Sequence, residues 1–187
     1  MCHSLFTDSR LFTFIQKIDD AAAAACVGRS CAHCGGRLDR AFYARKPRGL
    51  PPDIGDGFCI RPSFCCRQED CRRRHTPVML RFLDRRVYAS AIVVLVAAMC
   101  QGVTPVRLSS LRRLLGVAPK TVRRWLRWWR DFFPQTSAWL EARAAVVPAV
   151  EDGCLPLSLY RRLVEPAPCR LASMVALLKL VIRTPCR

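Results

Sequence analysis

Apolar positions along this chain change texture twice. Leu11, Phe14, Ile15 and Ile18 recur at i, i+3, i+4 and i+7, which predicts an amphipathic helix over residues 11–25. Ala21 to Ala25 extend it on propensity, and Val27 with Gly28 ends it. Residues 29–86 read differently. Five glycines beyond Gly28, two of them adjacent at 35 and 36, mix with prolines at 47, 51, 52, 62 and 77. The apolar runs there are only strand-length, at residues 41–44, 58–60 and 78–82. Such a segment buries too little surface to fold unaided. Helical periodicity returns at residue 86. It predicts a helix over 86–101 stopped by Gly102, a second over 108–115 ended by Gly116, and a third from Pro119 to about Phe132 closed by Pro134. Further short helices are expected at 137–145, 157–163 and 171–182. The last clusters Leu171, Val175, Leu178, Leu180 and Ile182, which suit a core-completing role slightly better than a dimer or partner interface.

The loop-rich segment carries the first candidate chemistry. CAHCGG, residues 31–36, holds Cys31 and Cys34 two residues apart with paired glycines behind them, and FCCRQEDC, residues 64–71, holds three more cysteines. A structural zinc site takes four thiolate or imidazole ligands from two such loops. The first loop supplies Cys31 and Cys34, and its glycines allow the positive φ that turns amides towards the sulfurs. The second supplies Cys71 with Cys66 or Cys65. Cys66 is preferred because Phe64-x-Cys66 puts the aromatic and the ligand on one face of a strand and Cys65 on the other. His33 and His75 are available substitutes. Four thiolates leave no open coordination position, so the expected ion is structural. The other cysteines, at 2, 26, 59, 100, 154, 169 and 186, read as unpaired thiols.

Charge changes the picture next. Thirty-one Lys and Arg stand against fourteen Asp and Glu, a formal net charge of +17, and Arg dominates. So large a surplus favours a polyanionic partner, nucleic acid above all. The most apolar stretch, residues 87–100, is about fourteen long, short of the roughly twenty a bilayer span needs, so a membrane partner is not expected. No export signal opens the chain, which makes the expected setting the cytoplasm, in association with the nucleoid.

LSSLRRLLGVAPKTVRRWLRWW, residues 108–129, then reads as a helix-turn-helix. Leu111, Leu114 and Leu115 form one apolar stripe, Gly116 makes the turn, and Val117 is buried in it. Pro119 opens the next helix, although Ala118 is a poor cap. Val122, Trp125, Leu126 and Trp129 share one face of that helix, and Lys120, Thr121, Arg123, Arg124 and Arg127 are directed to a DNA groove. Arg72, Arg73 and Arg74, followed by Arg81, Arg85 and Arg86, are candidates for backbone phosphate.

CAHCGG, FCCRQEDCRRRHTP and LRRLLGVAPKTVRRWLRWW, in this order, resemble bacterial proteins encoded with insertion elements and the DNA-binding front ends of transposases. The resemblance covers about residues 29–133. It implies a four-cysteine zinc ribbon and a helix-turn-helix that together grip the element's terminal DNA. It departs from a cutting transposase in lacking a carboxylate triad: beyond Phe133 only Glu141, Glu151, Asp152 and Glu165 remain. The expected fold is therefore mainly α with a small β zinc ribbon. Its parts are an N-terminal helix in residues 1–28, the ribbon in 29–85, a three-helix helix-turn-helix domain in 86–134 and a helical tail in 135–187. The expected function is non-enzymatic binding of double-stranded DNA, as a transposon-associated accessory protein or truncated transposase with structural zinc. A separate transposase and self-association are the further partners considered. A transcriptional regulator and a zinc-dependent protein adaptor are the alternatives.

Overall fold

The structure, a computed structural model, describes residues 5, 7–51, 53–83, 88–100, 109 and 116–182. Helix α1, Ser9–Ala24, starts where Asp8 accepts the Arg10 amide at 3.0 Å. It buries Leu11 and Ile15 as the spacing predicts, but the core face is turned towards Phe12: Phe12 is buried, Phe14, expected in the seam, is exposed, and Ile18 is half-buried at the margin. The chain then enters two small antiparallel sheets. Strands β1, Leu38–Arg40, β4, Phe64–Cys66, and β5, Arg74–His75, form one in the order β1-β4-β5. Strands β2, Tyr43–Ala44, and β3, Ile60–Arg61, form the other.

Helix α2, Ser90–Cys100, is apolar on all sides and buried from Ser90 through Ala98. It is the central element of the main core, as an evenly hydrophobic helix must be. Helix α3, Pro119–Arg127, packs on it, with Tyr88 edge-on to Trp125 at 5.0 Å between ring centres. The chain runs on helically beyond Arg127, but with wider π-type turns over Trp128–Phe132 and a tighter 3-10 turn at Phe133–Gln135. Trp128, Trp129, Phe133 and Trp139 pack into one aromatic cluster with ring centres 4.6 to 5.5 Å apart. Helices α4, Ser137–Arg143, α5, Leu157–Leu163, and α6, Arg170–Ile182, close the molecule. Met174, Val175, Leu177, Leu178 and Val181 of α6 are buried in the same core as α1, α2 and α3. The C-terminal helix thus completes the core.

Three expectations for the loop-rich segment are corrected. The run at 78–82 is no strand, because the Leu80 and Arg81 amides bond to the Asp19 carboxylate at 2.6 and 2.9 Å instead of to a ladder. Residues 56–59 wind into a 3-10 turn, leaving only Ile60 and Arg61 extended. At 41–44 only Tyr43 and Ala44 form a strand, while Leu38–Arg40 and Arg74–His75 are strands that the apolar runs did not foresee. The predicted helix at 108–115 lies, but for Ser109, outside the described residues.

Asp19 and Arg81 join the two halves. Both side chains are 1% exposed and pair at 3.1 Å. Arg81 also donates to the Gly57 carbonyl at 2.9 Å and to Asp20 at 2.7 Å. Its own carbonyl accepts the Ser90 amide at 3.1 Å, and Ser90 Oγ donates to the Leu80 carbonyl. One ionic hub therefore ties α1, the 3-10 turn and the start of α2 together. It also removes Arg81 from the phosphate-contact candidates, since a buried, paired guanidinium cannot reach a polyanion.

Candidate metal centre

The sulfurs of Cys31, Cys34, Cys66 and Cys71 all lie within 4.8 Å of one another. Two edges of the cluster are 3.8 Å, Cys31 to Cys71, and 3.4 Å, Cys34 to Cys66. Four thiolates at about 2.3 Å from a tetrahedral ion stand about 3.8 Å apart, so the cluster has the size to hold a metal ion.

Each pair comes from a turn folded around its sulfurs. In the first, the Cys31 amide donates to the Gly36 carbonyl at 2.7 Å and the Gly35 amide to the Cys31 carbonyl at 2.9 Å. A bridge between Ser30 and Arg37 closes the base. The amides of Cys34 and His33 point at Cys31 Sγ. In the second, the Gln68 amide points at Cys66 Sγ and the Arg73 amide at Cys71 Sγ. The residue following the second cysteine is left-handed in both turns, Gly35 at φ +71° and Arg72 at φ +42°. A glycine takes this state freely, whereas at Arg72 the turn imposes it on a side-chain-bearing residue. Gly36 answers a different need. A Cβ there would stand 3.2 Å from Cys66 Sγ, 3.3 Å from Cys34 Sγ and 2.6 Å from Gln68 Cγ. The turn backbone is pressed against the sulfurs, which suits a site built around them.

Strand β4 sorts its two cysteines. Phe64 and Cys66 are buried on one face, and Leu38 pairs with Cys66 across the sheet. Cys65 faces away, with its sulfur 3.4 Å from the Arg72 carbonyl, and takes no part in the cluster. His75 Nε2 lies 3.2 Å from Cys31 Sγ, beside the cluster.

The electrostatics show why these thiols want a cation. Amides of Cys34 and His33, helped by His75, draw Cys31 down to about 6 against the opposing effect of burial. Burial and the sulfurs of Cys34, Cys71 and Cys31 push Cys66 up to about 12, despite the Gln68 amide. Once one sulfur is charged, its neighbours resist ionising. A divalent ion among the four sulfurs would offset part of that repulsion and favour the thiolate form of all of them.

The cationic candidates sit at two places. Arg72 and Arg73 are exposed on the turn beside the cluster, and Arg74 is exposed at the start of β5. On α3, Val122 and Trp125 are buried while Lys120, Arg123, Arg124 and Arg127 are exposed and Thr121 is half-buried. Ala118 caps α3 with no side-chain bond, and Gly116 turns into it at φ +59°. Arg85 and Arg86 lie outside the described residues.

No family model, characterised protein or solved structure matches this chain. Among the described residues no helix is long and apolar enough to cross a membrane.

Proposed function

We propose that this chain is a non-catalytic DNA-binding protein whose four-cysteine centre holds structural zinc. The observation that carries the reading is the division of α3. Its aromatic seam is sealed in the core while four cations on the other side face solvent. A helix anchored on one side and cationic on the other is what insertion into a major groove requires. Lys120, Thr121, Arg123, Arg124 and Arg127 are the groove-facing residues. Arg72, Arg73 and Arg74 serve the phosphate backbone.

The ligand set favours zinc. Four soft thiolates in a tetrahedron suit it, and the closed set supplies a cross-link instead of a catalytic Lewis acid. Cys31, Cys34, Cys66 and Cys71 hold it. The +17 net charge supports a polyanionic partner. A transposon-associated accessory role, with a transposase as partner, is the biological setting this reading favours.

The test is duplex binding as a function of salt. The metal-loaded protein should bind DNA with log K falling steeply against log salt and should prefer some sequences. Arg123→Gln with Arg124→Gln should weaken binding and flatten the slope by about 0.9 for each phosphate left unneutralised. Absence of duplex binding, or binding indifferent to salt, overturns the reading and leaves a protein-docking adaptor in its place.

A further inference from the structure

The cysteine-bearing sheet has two edges, and the arginine run of residues 72–74 lies at only one of them, beside β5. At the opposite edge, β1 and the segment leading into the first cysteine turn enclose an open groove of about 750 Å³. Arg29, Ser30, Arg37, Asp39 and Arg40 line it, over a floor that includes buried Phe64.

Its charge is one-sided. Three arginines face one carboxylate, and that carboxylate is engaged from outside the groove by Arg67 at 2.9 Å. Arg37 approaches Asp39 only at 3.7 Å, with its side chain 75% exposed, so the pair holds it weakly. Arg29 and Arg40 are exposed and form no ion pair among the described residues. Guanidinium groups gathered around a groove, with a hydroxyl at Ser30, are donors seeking acceptor oxygens. Phosphodiester oxygens supply them in a row.

We infer that this groove is a second phosphate-backbone site, gripping the same duplex that α3 reads. The inference rests on the DNA-binding reading above. It also makes the metal centre a determinant of affinity. One wall of the groove is the first cysteine turn, closed by the Ser30–Arg37 bridge and the Cys31 to Gly36 hydrogen bond of 2.7 Å. The spacing of Arg29 from Arg37 and Arg40 is therefore set by the same turn that presents Cys31 and Cys34.

The experiment compares the zinc-loaded full chain with Arg29→Gln/Arg40→Gln and with Arg123→Gln/Arg124→Gln, using a fluorescent duplex titrated at several salt concentrations. Zinc content per chain checks that each variant keeps its fold around the cysteines. The groove variant should retain one zinc and bind duplex with a slope shallower by about 1.8, two phosphates at about 0.9 each. A groove variant with full zinc content and the wild-type slope overturns the groove while leaving the α3 reading intact. Failure of the wild-type protein to bind duplex overturns both. A slope change confined to a single-stranded oligonucleotide overturns the assignment to duplex DNA. If the groove variant loses zinc, Arg29→Lys/Arg40→Lys provides the comparison: retained charge should restore the slope, and an uncharged-like slope in that variant rejects the inference.

Discussion

Replacing Asp19 by alanine should destabilise the protein far more than replacing its neighbour Asp20, although both carboxylates touch the same guanidinium. Asp19 accepts the Leu80 amide at 2.6 Å, the Arg81 amide at 2.9 Å and Arg81 Nε at 3.1 Å. Its removal strands two amides and leaves a guanidinium that is 1% exposed with only Asp20 and the Gly57 carbonyl. Deleting one partner of a buried pair costs about 3–5 kcal/mol. The Asp20 side chain is 53% exposed, so water takes its place and the cost is about 1 kcal/mol or less.

Against a total stability on the order of 5–15 kcal/mol, the first loss is a large fraction and the second is not. With a urea dependence of about 2 kcal/mol per molar, Asp19→Ala should lower the midpoint by about 2 M and Asp20→Ala by about 0.5 M at most. Trp125, Trp129 and Trp139 are all buried, so tryptophan emission follows the unfolding of the core. Asp19→Asn keeps an acceptor for one amide and should fall between the two. Equal midpoints for Asp19→Ala and Asp20→Ala would refute the claim that a sealed carboxylate fastens α1 to the 80–81 segment.

Other outcomes follow from single contacts. Gly36→Ala forces a methyl against two sulfurs and Gln68 Cγ, so it should weaken zinc binding at least tenfold in a chelator competition, while Gly55→Ala, which meets nothing within 4 Å, should not. Chelating the metal should abolish amide-exchange protection around residues 31–40 and 64–75 and leave the buried positions of α2 protected. Asp8 is held below the usual carboxylate range, chiefly by its side-chain hydrogen bond with Arg10, so its capping contribution is complete above that range and fades as pH falls through the depressed value. The gap in stability between wild type and Asp8→Ala should accordingly be about 1 kcal/mol at neutral pH and should close in acid, read by denaturant unfolding.

Local patterns carried the parts of this structure that were legible in the sequence. Two cysteines separated by two residues and followed by glycines can hardly avoid presenting their sulfurs together. Phe64-x-Cys66 implied the face on which Cys66 lies, because side chains alternate along a strand. Helix α5, Leu157–Leu163, has the predicted limits, and α6 begins one residue before its expected start. What stayed hidden was set by distance along the chain. Asp19 and Arg81 are 62 residues apart, and each looks in isolation like a solvated surface charge. The run at 78–82 has the composition of a strand, but a carboxylate from another element took its amides. Strand β1 has the unpromising sequence LDR and is extended because β4 pairs with it. Arg72 gives no local sign of its positive φ, since the second cysteine turn imposes it.

The distribution of apolar contacts shows what an ion held by the four cysteines would add to the ionic hub. The main core runs from Leu5 to Val181 and draws on α1, α2, α3 and the C-terminal helices. Among the described residues, the loop-rich segment reaches that core through Phe58, Leu80 and Leu83, with Leu50 and Ile54 at its margin. Around the cysteine-bearing sheet the buried apolar cluster is small, Ala23, Phe64, Met79 and Phe82 among the described residues, with Cys26 and Leu38 packed against it. So little burial cannot offset the conformational entropy of ordering the two cysteine turns. A cross-link through four sulfurs can, because it restrains both turns at once. The Asp19–Arg81 hub then fixes the segment leaving the sheet against α1 and the start of α2. Cysteine turns, hub and helical core therefore form a connected mechanical series. If DNA is gripped both at the sheet and at α3, the geometry between the two grips is transmitted through Arg81, a residue that itself touches no DNA.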